Sequence, residues 1–231
     1  MDVCSLTKNE CLESLSDKYA AVLIDTCAFE SLEDSNIYGD SGNFHFSDSR
    51  RWNIRQGILD RRWDFLYNFA QMIETKKNFY LTLPILQEFL GPDTRLYTQA
   101  LSEVSSQVLP VAGRYHNSVR SFTKKKRSFV DFVWKQNASL IFTSNESDEY
   151  FSLLSESKFI LDILNLSNTD YDFLLSAAAI SSDRGSTAII SNDFPILYAW
   201  KELCSRKPEL SERLHFYLHT SPFSFEKAFS S

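Results

Sequence analysis

An α/β fold with a mostly parallel central sheet is predicted by three observations. Short apolar runs of strand length end in acids or turn formers, longer segments repeat apolar residues every three or four positions, and the two patterns alternate along the chain. Strands covered on both faces read as continuous apolar runs rather than as alternating ones. With 231 residues, 43% of them hydrophobic and 14% aromatic, the chain can fill the core of one domain, or of one domain with an elaboration.

Residues 1–18 are polar and weakly patterned and read as an N-terminal arm or cap; 19–231 read as a single domain. Tyr19 to Ile24 is the first buried strand, ended by Asp25-Thr26. Residues 30–56, rich in Gly, Ser, Asn and Asp, read as a long insertion, a mobile flap near the site. Leu59, Trp63, Leu66, Ala70 and Ile73 then form one face of an amphipathic helix. Phe79 to Leu83 is a second strand, and Pro84 suits the first turn of the helix that follows it. A basic helical segment covers 95–135, and 146–166 is a further amphipathic stretch. Ser167 is placed to cap a helix, with Asp170 three residues on, and small residues such as Ala177 and Ala178 suit close packing on a sheet. Thr187 to Ser191 is the third strand and Leu214 to Leu218 the fourth, with a helix between Ile196 and Lys207.

Composition excludes several classes. The net charge of −6 gives no global pull toward nucleic acid, so a polyanion needs local basic patches. Cys4, Cys11, Cys27 and Cys204 make no CxxC pair and no zinc-like spacing. Residues 1–6 lack the basic and apolar stretches of a secretory leader, and no apolar run approaches the about 20 residues that cross a bilayer. The expectation is a cytoplasmic chain with reduced cysteines and no membrane partner. No GxSxG, P-loop or GxGxxG is present, and the four histidines show no pairing that suggests zinc or general-base work.

Carboxylates carry the chemistry. Asp25 ends the first strand, Glu88 lies one turn into the helix begun by Pro84, Asp170 and Asp172 open the Ala-rich helix, and Asp193 follows the third strand. Such element ends converge on one edge of an open α/β sheet. Carboxylates gathered there repel one another unless a divalent cation neutralises them. Each also has a plainer role: Asp170 or Asp172 as a partner for the helix dipole, Asp193 as a turn former, Glu88 as a solvated residue. Asp170 and Asp172 are about 200° apart, so both cannot point inward on a regular helix, although a fraying first turn allows it; Asp170 is favoured and Asp172 held in reserve. Thr26, Ser191 and Asn192 are candidate hydrogen-bonders to these acids. Two basic clusters interleaved with aromatics are candidate nucleic-acid contacts: Arg120, Lys124, Lys125, Lys126 and Arg127 in one, Arg51 and Arg62 in the other. The alternative for either is a solvated helix whose aromatics are core.

At four motifs the sequence resembles the PIN domains, metal-dependent nucleases with a Rossmann-like three-layer α/β/α fold. The motifs are Leu23-Ile24-Asp25-Thr26, Leu83-Pro84-Ile85-Leu86-Gln87-Glu88, Asp170 to Ala179, and Ser191-Asn192-Asp193. They stand in the family's order, and the resemblance spans about 20–220 but is specific only at the motifs. Cys27 stands where the family often has Asn, and the first insertion is longer than in its small members. The resemblance implies Mg²⁺ or Mn²⁺ held by Asp25, Glu88, Asp170 and Asp193, with Asp172 as the alternate, and hydrolysis of single-stranded or structured RNA in an RNA-processing or toxin-type role. It leaves open a DNA substrate, an inhibitory protein partner, a homodimer and an inactive RNA- or protein-binding platform.

Overall fold

A computed structural model describes residues 4–5, 12–26, 67, 69–90, 109–137, 139, 141–142, 152–153, 156, 166–191 and 193–218. The insertion expected over 30–56, with Arg51 and Arg62, lies outside them. Six strands form one sheet: β1 (Cys4–Ser5), β2 (Ala21–Ile24), β3 (Phe79–Thr82), β4 (Ile141–Phe142), β5 (Thr187–Ser191) and β6 (Leu214–Leu218), in the order β1-β6-β5-β2-β3-β4. Every pairing among them is parallel. Among the described residues the sheet is accompanied by helices α1 (Leu12–Lys18), α2 (Leu83–Phe89), α3 (Leu109–Gln136), α4 (Asn168–Arg184), α5 (Phe194–Arg206) and α6 (Pro208–Ser211). Residues 69–75 are also helical.

Strand alternation sorts the core into two layers. Val22, Ile24, Ala188, Ile190 and Tyr217 face one side, where α1, residues 69–73 and α3 contribute Leu12, Leu15, Phe69, Ile73, Phe129 and Val133. Ala21, Leu23, Ile189, Leu214 and Phe216 face the other, against Ala177, Ala178 and Leu174 of α4 and Ile196, Trp200 and Leu203 of α5. Helices on both faces of a parallel sheet give the three-layer α/β arrangement. The mostly parallel sheet expected from sequence is therefore present, with two-residue strands at both edges.

Within the N-terminal arm or cap expected over 1–18, residues 12–18 form a packed helix. Leu12 and Leu15 lie three apart on α1 and both enter the core. Burying two leucines contributes about 3–6 kcal/mol, enough to hold a seven-residue helix that would not persist alone. Asn78 fastens the turn after it: its side-chain amide donates to the carbonyls of Ser16 (2.7 Å) and Tyr19 (2.8 Å). On the other face of the sheet the Trp200 indole N–H donates to the Leu214 carbonyl at 3.1 Å, tying α5 to β6. Among the described residues, no helix is long and apolar enough to cross a membrane.

Candidate functional site

Chain direction brings the acids together. Helix α4 precedes β5 and runs back along the sheet, through Gly185 at φ +96°, a left-handed turn that suits a residue without a Cβ. Its first turn thus lies at the carboxyl end of the strands. Helices α2 and α5 begin directly after β3 and β5, so their first turns lie at that end too. From β2 the chain moves outward through β3 and β4 on one side, then returns to place β5 on the other side of β2. The β2–β5 boundary is therefore the topological switch point, where open α/β sheets bind ligands.

Asp25 and Ser191 sit on that boundary. Register pairs Ile24 with Ile190, and the Asp25 backbone N–H continues the ladder to the Ile190 carbonyl at 3.0 Å. Alternation puts both side chains on the α4–α5 face, one step beyond Leu23 and Ile189. The Ser191 hydroxyl donates to Asp25 Oδ2 at 2.7 Å, and its oxygen accepts the Asp193 backbone N–H at 3.0 Å. Asp25 is only 3% exposed and Ser191 is fully buried. One hydroxyl thus fixes the orientation of a buried carboxylate and the backbone of the next acid.

Asp193 occupies the N-cap position of α5, but its carboxylate makes no capping hydrogen bond. Burial, and after it the charge of Asp170, push the Asp193 carboxyl above the usual aspartate range. Asp170 is held from behind: the Ser167 hydroxyl caps α4 by accepting the Asp170 N–H at 3.1 Å and donates to Asp170 Oδ2 at 2.7 Å. The charge of Asp170 reaches Asp193, and Asp172 is half-buried on the second turn. On the β3 side, buried Thr26 donates its hydroxyl to Glu88 Oε2 at 3.3 Å, and Thr82 caps α2 by accepting the Ile85 N–H at 3.4 Å. Asn192 lies outside the described residues.

Three links result: Asp25–Ser191–Asp193 through hydrogen bonds, Asp193–Asp170 through charge, and Thr26–Glu88 adjoining Asp25 along the chain. The acids supply hard oxygen, the donor type of Mg²⁺ and Mn²⁺. Among the described residues, however, no three Asp, Glu, His or Cys side chains stand close enough to grip one ion together. A cation held by this set calls for side-chain rotation at the half-buried Asp170 and Asp193 and the exposed Glu88, around the fixed Asp25.

Helix α3 lies alongside. Phe129 packs on Phe89, with ring centroids 6.0 Å apart, one residue after Glu88. Arg120, Lys124 and Arg127 are exposed and fall within about 60° on the helix, forming a basic stripe. Lys125 is half-buried. Lys126 corrects the expected roster: it is 1% exposed, with Nζ 4.6 Å from the centre of the Phe89 ring, so it belongs to the packing between α2 and α3. Phe129 is likewise core rather than a base platform, whereas Trp134 is exposed. His215 packs on the opposite sheet face against Tyr19, at 5.1 Å between rings, away from the acids.

No protein-family model, no curated protein and no solved structure matches this chain. The likeness to PIN domains accordingly rests on the four sequence motifs alone.

Proposed function

We propose that the protein is a PIN-type nuclease that uses Mg²⁺ or Mn²⁺ to hydrolyse RNA phosphodiester bonds. The observation that carries this reading is the Ser191–Asp25 hydrogen bond across the switch point, with Asp193 tied to the same hydroxyl through its backbone N–H. A carboxyl held above its ordinary range by burial, and then by a neighbouring acid, as Asp193 is, is a recurrent mark of functional sites. Asp25 and Asp193 are the central ligands of the proposal, and Glu88 and Asp170 complete the set. When bound, the cation lowers the pKa of a water and stabilises the leaving oxygen. The chain's own tasks are to hold Asp25 rigid through Ser191, to keep Asp170 aimed through Ser167, and to offer the Arg120–Lys124–Arg127 stripe to the phosphate backbone.

One observation favours a second reading, a binding platform without catalysis: the described acids do not close around a single point. Cleavage of labelled single-stranded RNA and DNA in Mn²⁺, Mg²⁺ or EDTA separates the two. The nuclease reading predicts metal-dependent cutting of RNA by wild type and none by the folded Asp25→Asn, Asp193→Asn double variant. Undiminished cutting by that variant sinks the acidic centre, and RNA binding without cutting selects the platform.

A further inference from the structure

Helix α5 leaves the candidate site carrying two large rings in water. Phe194, the residue after Asp193, is 55% exposed, and Tyr198 one turn later is 56% exposed. Exposed Lys201 lies one further turn along. At 100° per residue the three side chains fall within about 60° of each other and span about 10 Å of helix. Ile196, Trp200, Leu203 and Cys204 bury the opposite face, so the helix is anchored without help from either ring. Four exposed large hydrophobic side chains occur among the described residues, and these two share one stripe beginning at an acid of the candidate site.

We propose that Phe194, Tyr198 and Lys201 form a binding track for single-stranded nucleic acid, stacking unpaired bases next to the scissile phosphate; this rests on the nuclease reading. Rings on a rigid helix offer flat apolar faces to bases of any identity, and stacking is tolerant of sequence. Lys201 supplies the charge that a passing phosphate needs, at the end of the stripe remote from the repelling acids. The occupant is unpaired: bases in a duplex already stack on each other and cannot also lie on the rings. The track thereby orients the strand so that the phosphate beside the first stacked base faces Asp193 and Asp25.

The test uses the full chain in EDTA with a fluorescein-labelled 12-mer oligouridylate and an abasic oligonucleotide of the same length, read by anisotropy. Phe194→Leu and Tyr198→Leu keep an apolar helix residue and remove the ring; unchanged melting temperatures verify the fold. Each is expected to weaken oligouridylate binding about tenfold and to abolish the preference for it over the abasic strand. Lys201→Gln is expected to make the slope of log affinity against log salt shallower by about 0.7. Cutting in Mn²⁺ is measured on the same proteins. Variants that bind and cut like wild type overturn the track and leave the nuclease standing. Loss of binding by the variants, in a wild type that binds but never cuts, sustains the track and sinks the nuclease. A wild type that neither binds nor cuts overturns both. Ring variants that change only self-association in sedimentation assign the stripe to contact between copies and overturn it as well.

Discussion

Replacing Ser191 with alanine removes one oxygen and two hydrogen bonds from the centre of the carboxylate edge. The bond to Asp25 Oδ2, at 2.7 Å, has an ionised acceptor. Such bonds contribute about 1.5–3 kcal/mol, and losing one leaves a buried oxygen short of a donor. The bond from the Asp193 N–H, at 3.0 Å, is a neutral one. It adds about 0.5–1.5 kcal/mol, part of which water restores because Asp193 is only half-buried. The expected loss is about 2–3 kcal/mol with no change of core volume beyond one atom. For a chain of this size that lowers the melting temperature by about 4–12 °C. Urea unfolding and thermal melts in EDTA measure it. In a cycle with Asp25→Asn, the double variant should fall short of the summed losses by about 1 kcal/mol or more. A Ser191→Ala variant within about 0.5 kcal/mol of wild type refutes the claim that this hydroxyl holds the edge together.

Further outcomes follow from the same geometry. Because the folded-state pKa of Asp193 is raised, the native state pays for its ionised form above that pKa and is relieved below the unfolded value of about 3.9. Asp193→Asn should therefore raise the melting temperature in EDTA at neutral pH, and the gain should shrink as pH falls toward about 3.5; a pH-independent gain contradicts the assignment. Lys126→Ala should destabilise the fold by about 2 kcal/mol or more through lost packing against Phe89, while Lys124→Ala should leave stability within about 0.5 kcal/mol and weaken RNA binding. Equal melting temperatures for the two lysine variants contradict the buried placement. Gly185→Ala forces a Cβ into a left-handed conformation and should cost about 1–2 kcal/mol in urea unfolding; a neutral effect argues against that backbone angle. Trp200→Ala should cost about 3–5 kcal/mol, since a fully packed indole and its bond to Leu214 are both lost.

The central strands were legible because each is a run buried on both faces, a pattern that owes little to distant context. Edge strands were not: Cys4–Ser5 and Ile141–Phe142 are two residues each and exist only because β6 and β3 offer them partners. Helix α1 escaped notice because two leucines among polar residues give too short a periodicity to read. The acids themselves could be found from their positions at element ends, and Ser191 from its place beside Asp193. The coupling of Asp170 to Asp193 could not, since it depends on α4 running back along β5 and starting where β5 ends. Lys126 differs from Lys124 only by angle: it shares the face of Phe129 and Val133, three and seven positions on. Phe194 and Tyr198 look like core by composition, and only the packing of Ile196, Trp200 and Leu203 shows that the core lies on the other side.

Titrating the protein with Mn²⁺ by calorimetry, wild type beside Asp25→Asn and Asp193→Asn, tests most directly whether these acids form one cation site. The account predicts saturable binding by wild type that is lost, or weakened about tenfold or more, in each folded variant. Absence of binding at millimolar metal, or identical isotherms for all three proteins, contradicts it.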